Sequence, residues 1–327
     1  MSSITRVINK EKNYAVFPLV CADHCAWLAR TPFKDVVHDG EKLAGVIYQA
    51  YEEYAYDMVL IFSDPYVEAQ ALGCAVEFSP RLKLLGPSSR LVETIAPIRP
   101  VRAGRAHASC GVDRTPQIIA AAEILKKKVP VPVFVSVKGP FSLAAFTATT
   151  EHFLKLLIVA EEKARRFIES ALDFQRKYVK RLIELDVGVF IGDPMASSSI
   201  ISPELFKKFA FEPLRTMVNE IKARHCYAGI HVCGNSLPIM SMLDDLGADV
   251  LSVEDITPAT RTLKMGGVST ATIFQGNREK IKMEIELAAR EPRLIFSTSC
   301  DVPVETDPEN VKAMIQFARE ITSGVNP

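Results

Sequence analysis

The sequence predicts an α/β chain folded as one (β/α)8 TIM barrel, and three observations carry that expectation. Eight short apolar runs rich in β-branched residues recur along its 327 residues. Amphipathic helical patterns separate them, and acidic or metal-binding side chains gather at the C-terminal ends of the runs. The runs are continuously apolar rather than alternating, as strands buried on both faces of a parallel sheet are.

The first run, residues 16–20, leads into Cys21-Ala22-Asp23-His24-Cys25 and a helical pattern at 39–56. The second, 58–62, ends in Ser63-Asp64-Pro65. From Ser63 to Val131 the chain is too long for one crossover helix, and 74–85 reads as a hairpin. An insertion between strands two and three is therefore expected over the barrel mouth. A helix at 115–128 follows, closing on Lys126-Lys127-Lys128, where cations suit the negative end of the helix dipole. The third run, 132–137, ends in Lys138-Gly139-Pro140 and precedes a helical pattern at 152–184. The fourth, 187–191, ends in Gly192-Asp193-Pro194; Ser202-Pro203-Glu204 then starts a helix at 203–224, with a capping serine before proline at the first helical position. The fifth, 229–233, closes on His231-Val232-Cys233-Gly234-Asn235, before a helix at 237–246. The sixth, 250–253, ends in Glu254-Asp255; the seventh, 271–275, ends in Gly276-Asn277 and a helix at 278–290. The eighth, 294–297, ends in Ser299-Cys300-Asp301, and Asp307-Pro308-Glu309 starts a last helix at 308–322. With no repeat, low-complexity segment or Pro/Gly/Ser linker, residues 1–327 are expected to form a single domain.

Composition narrows the function. The net charge is zero, so no basic surface points to nucleic acid. No apolar run reaches the roughly 18 residues of a membrane span, and no apolar signal segment follows Met1. A cytoplasmic protein is expected. Its seven cysteines then read as reduced, metal-bound or buried thiols rather than disulfides.

In a barrel of this kind the chemistry sits at the C-terminal strand ends. His231 and Cys233, two apart on a strand, point to one face. Cys300 at another tip makes one imidazole and two thiolates, a three-ligand Zn2+ site with a position left open, as in catalytic zinc. Cys21, His24 and Cys25 form a rival set at the first tip, at a spacing that suits a helical turn and packing. Cys74, Cys110 and Cys226 read as structural. Asp64, Asp193 and Glu254 are candidate catalytic carboxylates, although Asp64 and Asp193 stand equally well as helix caps. Asn235, Asn277, Trp27 and Phe141 are candidate substrate contacts, with Met195 and Met265 as further walls. Lys138 and Arg261 are the cations available to an anionic substrate.

The chain resembles the uroporphyrinogen decarboxylase superfamily over nearly its whole length. The resemblance rests on Phe62-Ser63-Asp64-Pro65 with Ala71-Leu72-Gly73, on Lys138-Gly139-Pro140-Phe141 and on Phe274-Gln275-Gly276-Asn277. The arginine-rich N-terminal motif of the decarboxylases is absent, and Ser299-Cys300-Asp301 stands where they carry Gly-His-Gly. Without those arginines a polycarboxylate tetrapyrrole lacks its bidentate partners. His231-Val232-Cys233-Gly234, Cys300-Asp301-Val302-Pro303 with Thr306 and Glu309-Asn310, and Ile191-Gly192-Asp193-Pro194 are similar to the zinc-dependent corrinoid methyltransferase branch. That resemblance implies a (β/α)8 enzyme of one-carbon metabolism. It would move a methyl group between a corrinoid carried by a partner protein and a small zinc-bound substrate. The substrate is a methoxylated aromatic as donor (O-demethylation) or a thiol such as coenzyme M as acceptor. A metal-free decarboxylase of the uroporphyrinogen type is the alternative.

Overall fold

The computed structural model describes residues 3–81, 92–99 and 113–323. Ten strands are present among them: β1 Tyr14–Val16, β2 Val59–Ile61, β3 Ala75–Arg81, β4 Val92–Arg99, β5 Val133–Lys138, β6 Gly188–Gly192, β7 Ala228–His231, β8 Val250–Ser252, β9 Leu263–Val268 and β10 Leu294–Thr298. Eight of them form one parallel sheet in the order β1-β10-β9-β8-β7-β6-β5-β2. Helices follow the strands, among them Gly40–Tyr54, Thr115–Lys128, Glu161–Glu184, Arg278–Ala288 and Pro308–Thr322.

The edge strands β1 and β2 share no ladder among the described residues, and single bonds join them instead. Asp57 donates its backbone N–H to Val16 O at 2.9 Å and accepts the Val16 N–H on its carboxylate at 2.7 Å. Further up, Ala22 N–H reaches Phe62 O at 3.0 Å. A side chain therefore does at this seam what a backbone ladder does elsewhere around the barrel.

The barrel interior on β5 to β7 follows one rule: a large side chain leans over a glycine of the next strand. Phe134 pairs in register with Gly188, and a Cβ on that glycine would fall 2.4 Å from the Phe134 ring. Phe190 pairs with Gly229 in the same way, again at 2.4 Å. Large and small residues thus alternate across the strands, which fills the interior without voids.

The helix ends follow local chemistry. Asp39 accepts the N–H groups of Glu41 and Lys42, and Asn277 accepts that of Lys280. The helix expected at 152–184 is broken, into Thr150–Val159 and Glu161–Glu184, with Ala160 non-helical between them. The helix expected at 203–224 has a π turn at Phe206–Ala210. The first strand ends at Val16, earlier than expected, where Leu19 turns its N–H to the Thr298 hydroxyl at 3.0 Å.

The seventh strand lies in a different run from the one the sequence predicts. Residues 271–275 are not a strand but belong to the helix Thr270–Gln275, capped by Gly276 at φ 72°. The apolar, β-branched composition of Ala271-Thr272-Ile273-Phe274-Gln275 conceals that Phe274 is exposed while Thr272 and Ile273 are buried. The seventh strand of the barrel is β9, which Lys264 and two glycines disguise. Lys264 is 4% exposed, with its ammonium on Pro258 O at 2.7 Å and the Glu291 carboxylate at 2.6 Å. At Gly266 a Cβ would meet Val253 O at 2.7 Å, so the close approach of β8 requires glycine there.

Within the insertion, β3 pairs antiparallel with β4, so the partner strand lies beyond the stretch 74–85 proposed as a hairpin. Residues 82–85 of that stretch, and Cys110, lie outside the described residues.

Candidate metal centre

The parallel ladders align Lys138, Gly192, His231, Ser252 and Met265 in one row across β5 to β9. His231 is the last residue of β7, and Cys233 follows in the turn at Gly234, which has φ 74°. That turn is held by its neighbours. Gly234 N–H donates to Glu254 Oε1 at 2.7 Å, and Asn235 N–H donates to Ser199 Oγ at 2.8 Å. A Cβ on Gly234 would fall 2.7 Å from Ser199 Oγ, so only glycine permits the serine to sit there.

Cys300, just beyond β10, completes the group. Its Sγ lies 3.4 Å from Cys233 Sγ and 3.7 Å from His231 Nε2. The three ligand atoms lie within 4.8 Å of one another, and they are the one such group of three among the described residues. All three residues are partly exposed at the barrel mouth. Cys233 is pulled down to about 4, first by the hydrogen bond from Cys300 and then by His231. Cys300 is pushed up, chiefly by the adjacent Cys233 sulfur and then by burial.

This donor set fits zinc: two sulfurs and one imidazole nitrogen converge, and the second imidazole nitrogen is already engaged. His231 Nδ1 lies 3.0 Å from the hydroxyl of Ser252, which is fully buried. With Nε2 given to a metal, Nδ1 carries the proton and Ser252 accepts it, which fixes the ring's tautomer and orientation. Ser252 was not among the residues singled out from the sequence. The available signal was the alternation of Ser252 and Glu254 in an otherwise apolar strand, two polar groups on the face that His231 and Cys233 share. Ser252→Ala is expected to weaken zinc binding about 10- to 100-fold with the fold intact. Chelator competition measures this, and unchanged affinity would remove Ser252 from the centre.

The family model for uroporphyrinogen decarboxylase (URO-D) matches residues 4–321. The chain belongs to the uroporphyrinogen decarboxylase family. It is 30% identical to a methylcobamide:CoM methyltransferase of Methanosarcina barkeri, over 62% of this chain and 63% of that one. It is 25% identical to a methylated-thiol–coenzyme M methyltransferase of Methanosarcina mazei, over 86% of this chain and 77% of that one. The solved structure of a methyltransferase from Methanosarcina mazei shares the fold, with a TM-score of 0.84, 97% of both chains covered and 22% identity.

The other expected site residues of this family member are placed as follows. Glu254 lies at the centre, its Oε1 3.7 Å from Cys233 Sγ. Asp193 is fully buried behind it. Its N–H donates to His231 O at 2.9 Å and its Oδ1 accepts the Ser142 N–H at 2.7 Å, while Oδ2 has no hydrogen-bond partner among the described residues. Burial pushes its carboxyl up to about 6. Asp64 is committed to the scaffold. It pairs with Arg114 through both oxygens, one at 3.1 Å from the guanidinium, and accepts from Ser63 Oγ at 3.0 Å and Tyr66 N–H at 2.9 Å. Phe141 is fully buried against Phe153, with ring centroids 5.1 Å apart. Trp27 lies against the His24 ring at 5.7 Å.

Asn235 and Asn277 spend their side-chain oxygens on local backbone, that of Leu237 at 3.2 Å and that of Lys280 at 3.0 Å. With the seventh strand reassigned, Asn277 follows a helix and does not stand at a strand tip. The rival set separates as well. Both ring nitrogens of His24 are used, on Val304 O at 3.0 Å and Tyr54 OH at 2.8 Å, and burial lowers its pKa to about 4. Asp23 and Asp301 were not singled out. Burial, and after it the charge of Asp301, pushes Asp23 up to about 7.

Proposed function

We propose that this chain is a zinc-dependent methyltransferase that moves a methyl group between a corrinoid, carried by a partner protein, and the sulfur or oxygen of a small substrate. The observation that carries this reading is the convergence of His231, Cys233 and Cys300 at the open end of the barrel. Two further facts support it: the chain is similar to proteins named as methylcobamide:CoM and methylated-thiol–coenzyme M methyltransferases, and its donor set has two soft sulfurs. Zinc bound there would supply a Lewis acid on which the substrate's heteroatom is held as its anion.

The chain's own residues do the rest. Ser252 holds the imidazole, Ser199 and Glu254 hold the turn that carries Cys233, and Glu254 faces the sulfur from the solvent side. The partial exposure of the three ligands leaves an approach from the mouth for the partner's corrinoid. Among the described residues no helix is long and apolar enough to cross a membrane.

The test is a cobalamin spectral assay with zinc-loaded protein. It is run with methylcobalamin plus thiols, and separately with cob(I)alamin plus methoxylated aromatics. Loss of the methyl–cobalt band with a thiol makes this the methyl-accepting enzyme of its pathway, and gain of that band with a methoxyarene makes it the demethylating one. Decarboxylation of uroporphyrinogen by zinc-free protein would overturn the proposal.

A further inference from the structure

Among the described residues, Cys233 and Cys300 are the two cysteines that are not buried, and their sulfurs touch, 3.4 Å apart. Cys21, Cys25, Cys74 and Cys226 are all buried. A small reagent that enters the barrel mouth therefore meets this pair first. Two sulfurs placed to hold one metal ion are also placed to bond to each other.

A disulfide holds its sulfurs about 2.0 Å apart, so closure asks for a shift of about 1.4 Å. The surrounding backbone can supply it. β7 ends at His231 and β10 at Thr298, so each cysteine stands two residues beyond its strand, outside the paired ladders. The turn that carries Cys233 is held by the Glu254 and Ser199 side chains rather than by a ladder. The tip of the first strand offers no comparable pair. Cys21 and Cys25 are 2% and 1% exposed, and the Cys21 thiol donates to Leu19 O at 3.8 Å.

The oxidant that suits the open mouth is a small symmetrical disulfide, the oxidised form of a thiol substrate. One cysteine thiolate attacks a sulfur of the reagent and expels the first thiolate, which leaves a mixed disulfide. The other cysteine attacks the protein sulfur of that mixed disulfide and expels the second. Two electrons pass from the protein sulfurs to the reagent, which departs as two thiols after taking two protons from solvent. Thiolate, not disulfide, is the metal ligand, so a zinc ion held there would keep one imidazole and be lost.

We infer that Cys233 and Cys300 form a reversible redox switch: a small disulfide joins them and empties the metal site, and a thiol reopens the bond. The release of zinc rests on the proposed function; the cross-link does not. The closed bond ties the tips of β7 and β10 across 67 residues, as the metal would, which keeps the oxidised chain folded and the switch reversible.

Zinc-loaded protein incubated with 2-hydroxyethyl disulfide, without oxygen, tests it. Remaining thiols are alkylated and the peptides mapped by mass spectrometry. Free thiols are expected to fall from seven to five, with one peptide pair joined through Cys233 and Cys300. One zinc ion per joined pair should reach a chromophoric chelator, and dithiothreitol with added zinc should reverse both changes. Cys226→Ala should join the same pair. Cys233→Ala and Cys300→Ala should each stop at a mixed disulfide on the cysteine that remains. A wild type joined through Cys21, one that keeps its mixed disulfides, or one that retains zinc when joined overturns the switch. A wild type that never takes up zinc counts against the proposed function instead, and the cross-link is read on it in the same way.

Discussion

Cys233→Ala and Cys300→Ala are each expected to abolish tight zinc binding, and methyl transfer with it. Each removes one of three ligand atoms that lie within 4.8 Å of one another. The loss should exceed the roughly 10- to 100-fold that follows removal of an outer partner such as Ser252, because a thiolate–metal bond goes rather than a hydrogen bond that orients one. Zinc analysis of purified protein, followed by competition with a chromophoric chelator, measures it. Cys226→Ala is the control: that thiol precedes β7, at the opposite end of the strand from Cys233, and should leave zinc content near one equivalent. Full zinc retention in both Cys233→Ala and Cys300→Ala would contradict the assignment of the centre.

Arg114→Met should produce the largest loss of stability, about 3–5 kcal/mol by analogy with other buried pairs broken on one side. Arg114 is fully buried and its guanidinium is shared between Asp64, at 3.1 Å for one contact, and Gln70 Oε1 at 2.6 Å. Removing it leaves the Asp64 carboxylate buried at the tip of β2 without its counter-charge. The double variant Arg114→Met with Asp64→Leu should recover most of the loss, because no charge then remains to be desolvated. Urea denaturation of the two variants decides. A cost for Arg114→Met within the roughly 0–1 kcal/mol of a surface ion pair would show that the pair is not sealed from water.

The same pair shows what the sequence could not say about the surroundings of Asp64. Its place at a strand tip was legible, but its partner lies 50 residues away, and no local pattern relates the two. Asn277 lies away from a strand tip for a different reason. Its status depended on a strand at 271–275, and the period of so short an apolar run does not separate a strand from a buried helix. The true seventh strand carries Lys264 as its second residue, tolerable because the ammonium reaches Pro258 O and Glu291.

The sequence by itself determined what depends on neighbours in the chain. Continuous apolar runs meant strands buried on both faces, and the spacing of His231 and Cys233 put both at the tip of one strand. Tertiary structure alone decided which side chains stand across from them. The register of β7 against β8 and of β5 against β6 places Ser252 behind His231 and Lys138 over Gly192. That register is set by packing, where Phe134 fills the space above Gly188 and Phe190 that above Gly229, and a shift of one residue would turn every side chain of a strand to its other face.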